Sequence, residues 1–127
     1  MEEIKREEII RSYVQAYNAF DVEGMMKDLD PNIRFENVSD GVVNMTLNGL
    51  EDFRTQALRA AEMFSEREQT IGSFEHGDDV TQISIRFRGM LAENLPGGLQ
   101  RGDEINLQGT SVFHFADDKI ISIADIG

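Results

Sequence analysis

Ile9, Ile10, Tyr13, Val14, Tyr17 and Phe20 recur every three to four positions, which predicts an amphipathic helix over the first twenty residues with two phenols on its buried stripe. Asp21 can cap a second, short helix holding Met25, Met26 and Leu29, and Pro31, which has no amide hydrogen to donate, ends it. At 33–38 and 42–48 the pattern becomes strand-like, with Ser39-Asp40-Gly41 as the turn of a hairpin. Leu50, Phe53, Ala57, Leu58, Ala60, Ala61 and Phe64 predict a third helix, entered through Asn48-Gly49 and running to about residue 66. Strands follow at about 69–76, 80–91, 103–115 and 119–126, separated by Gly77-Asp78-Asp79, a loose connection over 94–102, and Asp117-Asp118. Helices ahead of a long antiparallel meander predict an α+β fold in which the helices cover one face of the sheet. One domain over 1–127 is expected.

Strand alternation asks which side chains point toward the helices, because residues two apart share a face. Three polar residues break the apolar faces. Ser111 shares a parity with Ile105, Leu107, Phe113 and Phe115; Asp125 joins Ile121 and Ile123; Asn37 joins Ile33 and Phe35. A buried polar group without a partner costs about 1–3 kcal/mol, and a carboxylate more, so each needs a reason. One is a pocket with apolar walls and a few convergent polar groups; the other is a strand end reaching solvent, which suits Asp125 near the last residue.

Charge narrows the partners. Twenty-four Asp and Glu against 12 Lys and Arg give a formal charge of −12, which repels nucleic acid and anionic lipid surfaces, so neither is an expected partner. Residues 1–11 show no basic segment leading into an apolar run, so a cytoplasmic protein is expected. Without cysteine there is no disulfide, thiolate ligand or thiol nucleophile. The two histidines lie far apart and the Asp78-Asp79 and Asp117-Asp118 pairs occupy turns, so no metal and no cofactor are expected.

The run from Arg11 to Met25, RSYVQAYNAFDVEGM, and the closing FHFADDKI over 113–120 resemble the nuclear transport factor 2-like superfamily, and its ketosteroid-isomerase-like and SnoaL-like polyketide cyclase groups in particular. The resemblance covers nearly the whole chain. It implies a strongly curved, mostly antiparallel sheet with three helices in its concave face, a cone enclosing an apolar cavity. In the isomerase group a tyrosine of the first helix hydrogen-bonds the developing enolate, and Tyr13 matches that position. The isomerase's aspartate base falls on Asn37 and its second oxyanion donor on Ser111, so steroid isomerisation by that route is not expected. The cyclase group takes its base from the last strand, where Asp125 matches, while its histidine partner falls on Ser111.

The expected chemistry is proton abstraction beside a carbonyl of a small, largely apolar ligand. Asp125 serves as the base, raised toward working pH by desolvation, and Tyr13 donates to the oxyanion. Asn37 and Ser111 orient the ligand, and Phe35, Phe113 and Ile123 supply apolar wall. A non-catalytic ligand-binding module of the same fold stays open as the alternative, as does an interaction protein using its outer sheet. Tyr17 is read as a core aromatic. His114 has outward parity beside Val112, a face that in this superfamily often implies a dimer, so a homodimer through the outer sheet is expected. His76 precedes a turn and is expected to be solvated. Arg101-Gly102-Asp103 is similar to the Arg-x-Asp pair of limonene-epoxide-hydrolase-like relatives, but beside Gly97-Gly98 it is read as the mouth of a hairpin.

Overall fold

A computed structural model describes residues 1–127. The elements are α1 (Glu3–Asn18), α2 (Val22–Met26), β1 (Leu29–Ser39), β2 (Val42–Asn48), α3 (Gly49–Glu62), β3 (Phe64–His76), β4 (Val80–Leu91), β5 (Glu104–Ala116) and β6 (Lys119–Ile126). The six strands form one curved, open sheet in the order β2-β1-β6-β5-β4-β3. Every neighbouring pair is antiparallel except β1 and β6, which run parallel and bring the first and last strands together at the centre. The expected α+β architecture is therefore present. The three helices lie against one face of this sheet, where Ile10, Ile33, Ile83, Phe113, Ile120 and Ile123 are almost wholly buried in a single core cluster.

Local chemistry explains the boundaries. The Asp21 carboxylate accepts from the Gly24 amide at 2.9 Å and caps α2, but the helix closes at Met26 rather than at Pro31. Leu29 already belongs to β1, and Pro31 is tolerated inside that strand because pairing with β6 lapses between Leu29 and Arg34. The β1–β2 hairpin turns through Asp40 (φ 53°) and Gly41 (φ 77°), the paired left-handed conformations of a two-residue loop matched to strand twist. Helix α3 ends at Glu62, shorter than the spacing predicts, and β3 begins at Phe64 with no glycine or proline between them. Phe64 is thus a strand residue, its ring 5.4 Å from Phe87, and Leu58 is 49% exposed rather than part of a buried stripe.

A β-bulge corrects one parity assignment. The register of β5 and β6 shifts between His114 and Phe115, so that Phe113 pairs Ile123 while Phe115 pairs Ile120. Ile120 takes the inward place expected of Ile121, which is turned outward and 37% exposed. Asp125 lies beyond the bulge and stays in phase with Ile123. His76 is also corrected: its ring stacks on Phe74, and its nitrogens meet Thr81 Oγ1 at 2.9 Å and Glu7 Oε2 at 2.8 Å, so it joins α1 to the sheet instead of facing solvent. No helix is long and apolar enough to cross a membrane.

Candidate active site

The strand register assembles the three polar exceptions into one line. Phe74, Ile83, Ser111, Asp125, Asn37 and Met45 are consecutive partners across the whole sheet, from β3 to β2. The three polar members are therefore adjacent, at the centre, with apolar residues on either side. The adjoining line is Thr81, Phe113, Ile123, Phe35 and Leu47. Phe113 and Ile123, each 1% exposed, pack beside the polar line on the same face.

Above these lines lies a cleft with two adjoining lobes. The smaller, of about 220 Å³, is walled by Tyr13 and Tyr17 from α1, Gln56, Ala57 and Ala60 from α3, and Phe35, Phe53, Leu47 and Arg67. The larger, of about 310 Å³, extends past Phe64, Ile85, Phe87 and Ser111 toward the end of β6. Tyr17, Asn37, Gln69 and Asp125 line both lobes. Helical spacing explains the phenols, since residues four apart on α1 share a face. The Tyr13 ring stands edge-on to Phe113 at 5.8 Å, and Asn18 pins the end of α1 through paired hydrogen bonds of 2.7 and 3.1 Å with the Gln69 backbone.

Electrostatics distinguish the groups in this cleft. Burial raises the Asp125 carboxyl above the ordinary aspartate range, and the Ser111 hydroxyl, donating to Oδ1 at 2.7 Å, draws it partly back. Burial and the nearby Asp125 charge hold the Tyr13 phenol well above its usual value, so it is a neutral donor at physiological pH. Arg67 is 5% exposed and stacks on the Tyr17 ring at 3.7 Å. Desolvation lowers its pKa without removing its charge at neutral pH. A neutral phenol, an acid pushed toward neutrality and a fixed cation thus share one cleft. No three His, Asp or Glu side chains converge to hold a metal ion.

The model of the SnoaL-like domain matches residues 10–123. This chain belongs to the SnoaL-like domain family. Solved structures agree on the fold. AclR from Streptomyces galilaeus, assigned as a hydroxylase, is 17% identical with a TM-score of 0.79, over 98% of this chain and 89% of its own. A SnoaL-like protein from Jannaschia sp. CCS1, assigned as a polyketide cyclase, is 16% identical with a TM-score of 0.82, over 97% and 85%. TerC, crystallised with polyporic acid, is 16% identical with a TM-score of 0.74, over 96% and 90%. No curated protein is significantly similar in sequence.

Within this SnoaL-like chain the structure brings Tyr13, Asn37, Phe35 and Asp125 to the smaller lobe and Ser111 to the larger. Phe113 and Ile123 do not reach either lobe and act as core packing. Asn37 also donates to Asn44 Oδ1 at 2.9 Å, which orients its amide. His114 is exposed on the far side of the sheet, 3.1 Å from Ser122 Oγ, and Arg101-Gly102-Asp103 is exposed in the β4–β5 connection. Sequence reasoning missed Tyr17, Arg67 and Gln69 as cleft residues. Arg67 and Gln69 share a parity with Ile71, a signal that becomes visible once the strand is extended back to Phe64.

Proposed function

We propose that this protein binds a small, largely apolar carbonyl compound and isomerises or cyclises it by moving a proton beside the carbonyl. The observation that carries this reading is that Asp125 and Tyr13 line the same lobe, the acid raised by burial and the phenol held neutral. Asp125 takes the proton, because a carboxylate shifted toward working pH is a better base than a solvated one. Tyr13 donates to the enolate oxygen that develops, from a lobe whose walls are mostly apolar, where the interaction is stronger than in bulk water. Ser111 holds one Asp125 oxygen, fixing the carboxylate's orientation. Asn37 contributes a neutral hydrogen-bonding group to orient the ligand.

The test is exchange of the α-protons of 2-tetralone in deuterated buffer, followed by proton magnetic resonance. Wild type is expected to accelerate exchange, with Asp125→Asn and Tyr13→Phe each losing on the order of a hundredfold or more of that acceleration. A ketone that binds in the cleft without faster exchange would instead establish a non-catalytic ligand-binding module. The outer sheet face, with Val112 beside Ala124 and flanked by Glu36 and Gln82 in the register, is the proposed contact for a second copy. Sedimentation of Val112→Lys against wild type tests it, and an unchanged mass would remove this part of the proposal.

A further inference from the structure

Arg67 puts a positive charge into the cleft without an ion-pair partner. The side chain is 5% exposed, lines the smaller lobe and takes part in none of the chain's ion pairs. Its Nε donates to the Tyr17 carbonyl oxygen at 3.0 Å, whereas Nη2 is buried with no hydrogen-bond partner. The guanidinium lies 3.7 Å from the Tyr17 ring centroid and 4.6 Å from that of Phe20. Phe20 itself holds φ at 59°, a left-handed conformation unfavourable for a bulky residue, and in that conformation its ring meets the guanidinium. Two aromatic faces and one carbonyl therefore fix the cation in place while leaving part of its donor set unused.

A buried cation normally has a carboxylate partner or, as Arg6 has in three backbone carbonyls and the Thr81 hydroxyl, several acceptors, because a charge removed from water without them is strongly destabilising; Arg67 has neither. Around Arg67 the other elements contribute Tyr13 and Tyr17 from α1, Gln56 from α3, Asn37 from β1 and Asp125 from β6, and only Asp125 among these is acidic. Asp125 is engaged by Ser111 and forms no ion pair with Arg67. Gln69, on the same strand as Arg67, is polar and uncharged, and the remaining walls are apolar. We propose that the ligand of this cleft is an organic anion, an apolar framework of one or two rings carrying a carboxylate or ionised enol oxygen that pairs with the Arg67 guanidinium. The inference rests on the cleft being a ligand site and names the chemical class it takes.

A matched pair of probes tests it: 2-naphthoate and its neutral amide, 2-naphthamide, titrated into ¹⁵N-labelled protein with the side-chain amides of Gln56 and Gln69 as reporters. Wild type is expected to bind naphthoate at least tenfold more tightly than naphthamide. Arg67→Met should abolish that difference while naphthamide binding persists, and Arg67→Lys should keep part of it. Equal binding of the two probes by wild type, or a preference that survives Arg67→Met, overturns the anion inference and leaves the cleft as a ligand site. Failure of both probes to perturb the cleft overturns the ligand site and the inference together. Should Arg67→Met not fold, the wild-type comparison and Arg67→Lys decide the matter.

Discussion

Ser111 and Asp125 are direct partners across the β5–β6 pair, and Ser111 Oγ donates to Asp125 Oδ1 at 2.7 Å. A hydroxyl that donates to the carboxylate favours its charged form while burial opposes it, and burial has the larger effect.

Ser111→Ala removes the hydroxyl that favours the ionised form, and the Asp125 titration midpoint is expected to move further upward. A carboxyl-carbon titration by magnetic resonance reads this directly, and an unmoved midpoint would show that the hydroxyl does not act on the ionised acid. Because a hydrogen bond to a charged group is worth about 1.5–3 kcal/mol, the variant should lose stability of that order where Asp125 is ionised and less where it is protonated.

Asp125→Asn should flatten the pH dependence of stability. The folded carboxyl titrates above its unfolded value of about 3.9, so between the two values the native state binds more protons than the unfolded one. Stability is therefore highest below the unfolded value and falls as pH rises through the raised folded value. An amide at this position has no proton to lose, so the variant should gain on wild type as pH increases toward neutrality. Urea midpoints measured from pH 3 to pH 8 check this; a constant difference between the two proteins would refute it.

The polar line was legible in the sequence because parity depends only on neighbours along a strand. Asn37, Ser111 and Asp125 each carry that signal, and sheet pairing then sets them side by side. The order of strands across the sheet carries no such local mark. Ile121 shows where parity fails, since one extra residue in β6 reverses every face on one side of the bulge and leaves Asp125 on the other side untouched. Arg67 was illegible for a different reason. The step from α3 to β3 has no turn residue, so the spacing carries the helix on to about residue 66 and starts the strand at about 69, leaving Arg67 between them. His76 looked solvated beside its turn because its partner Glu7 is 69 residues away in sequence.

Arg6 ties the helix that carries both phenols to the sheet. Its Nη1 donates to the Gly77 carbonyl at 2.7 Å, the Val80 carbonyl at 3.1 Å and Thr81 Oγ1 at 3.4 Å, and its Nη2 donates to the Asp78 carbonyl. The side chain is 4% exposed, so truncation takes the donor from four acceptors, one of them the hydroxyl of the fully buried Thr81. Arg6→Ala is expected to lose about 3 kcal/mol in urea unfolding, with Arg6→Lys recovering part of it. Amide exchange at Tyr13 should quicken in the alanine variant; unchanged exchange would mean that α1 is held by apolar packing alone.

Gly109 keeps β5 close to the end of β6. A Cβ built there would stand 2.6 Å from the Ile126 carbonyl oxygen, a backbone atom that cannot swing aside as a side-chain end does. Gly109→Ala must therefore push the last residues of β6 away from β5, at an expected cost of about 1–3 kcal/mol. Asp125 immediately precedes Ile126, so the displacement should lengthen its bond to Ser111. Since that bond lowers the Asp125 pKa, loosening it should raise the titration midpoint, in the same direction as Ser111→Ala and by less. Gly127→Ala is the control, because a Cβ there meets nothing within 4 Å and should change neither stability nor titration. A Gly109→Ala protein with lowered stability and an unaltered Asp125 midpoint would show that the strand end moves without carrying the acid away from its hydroxyl partner.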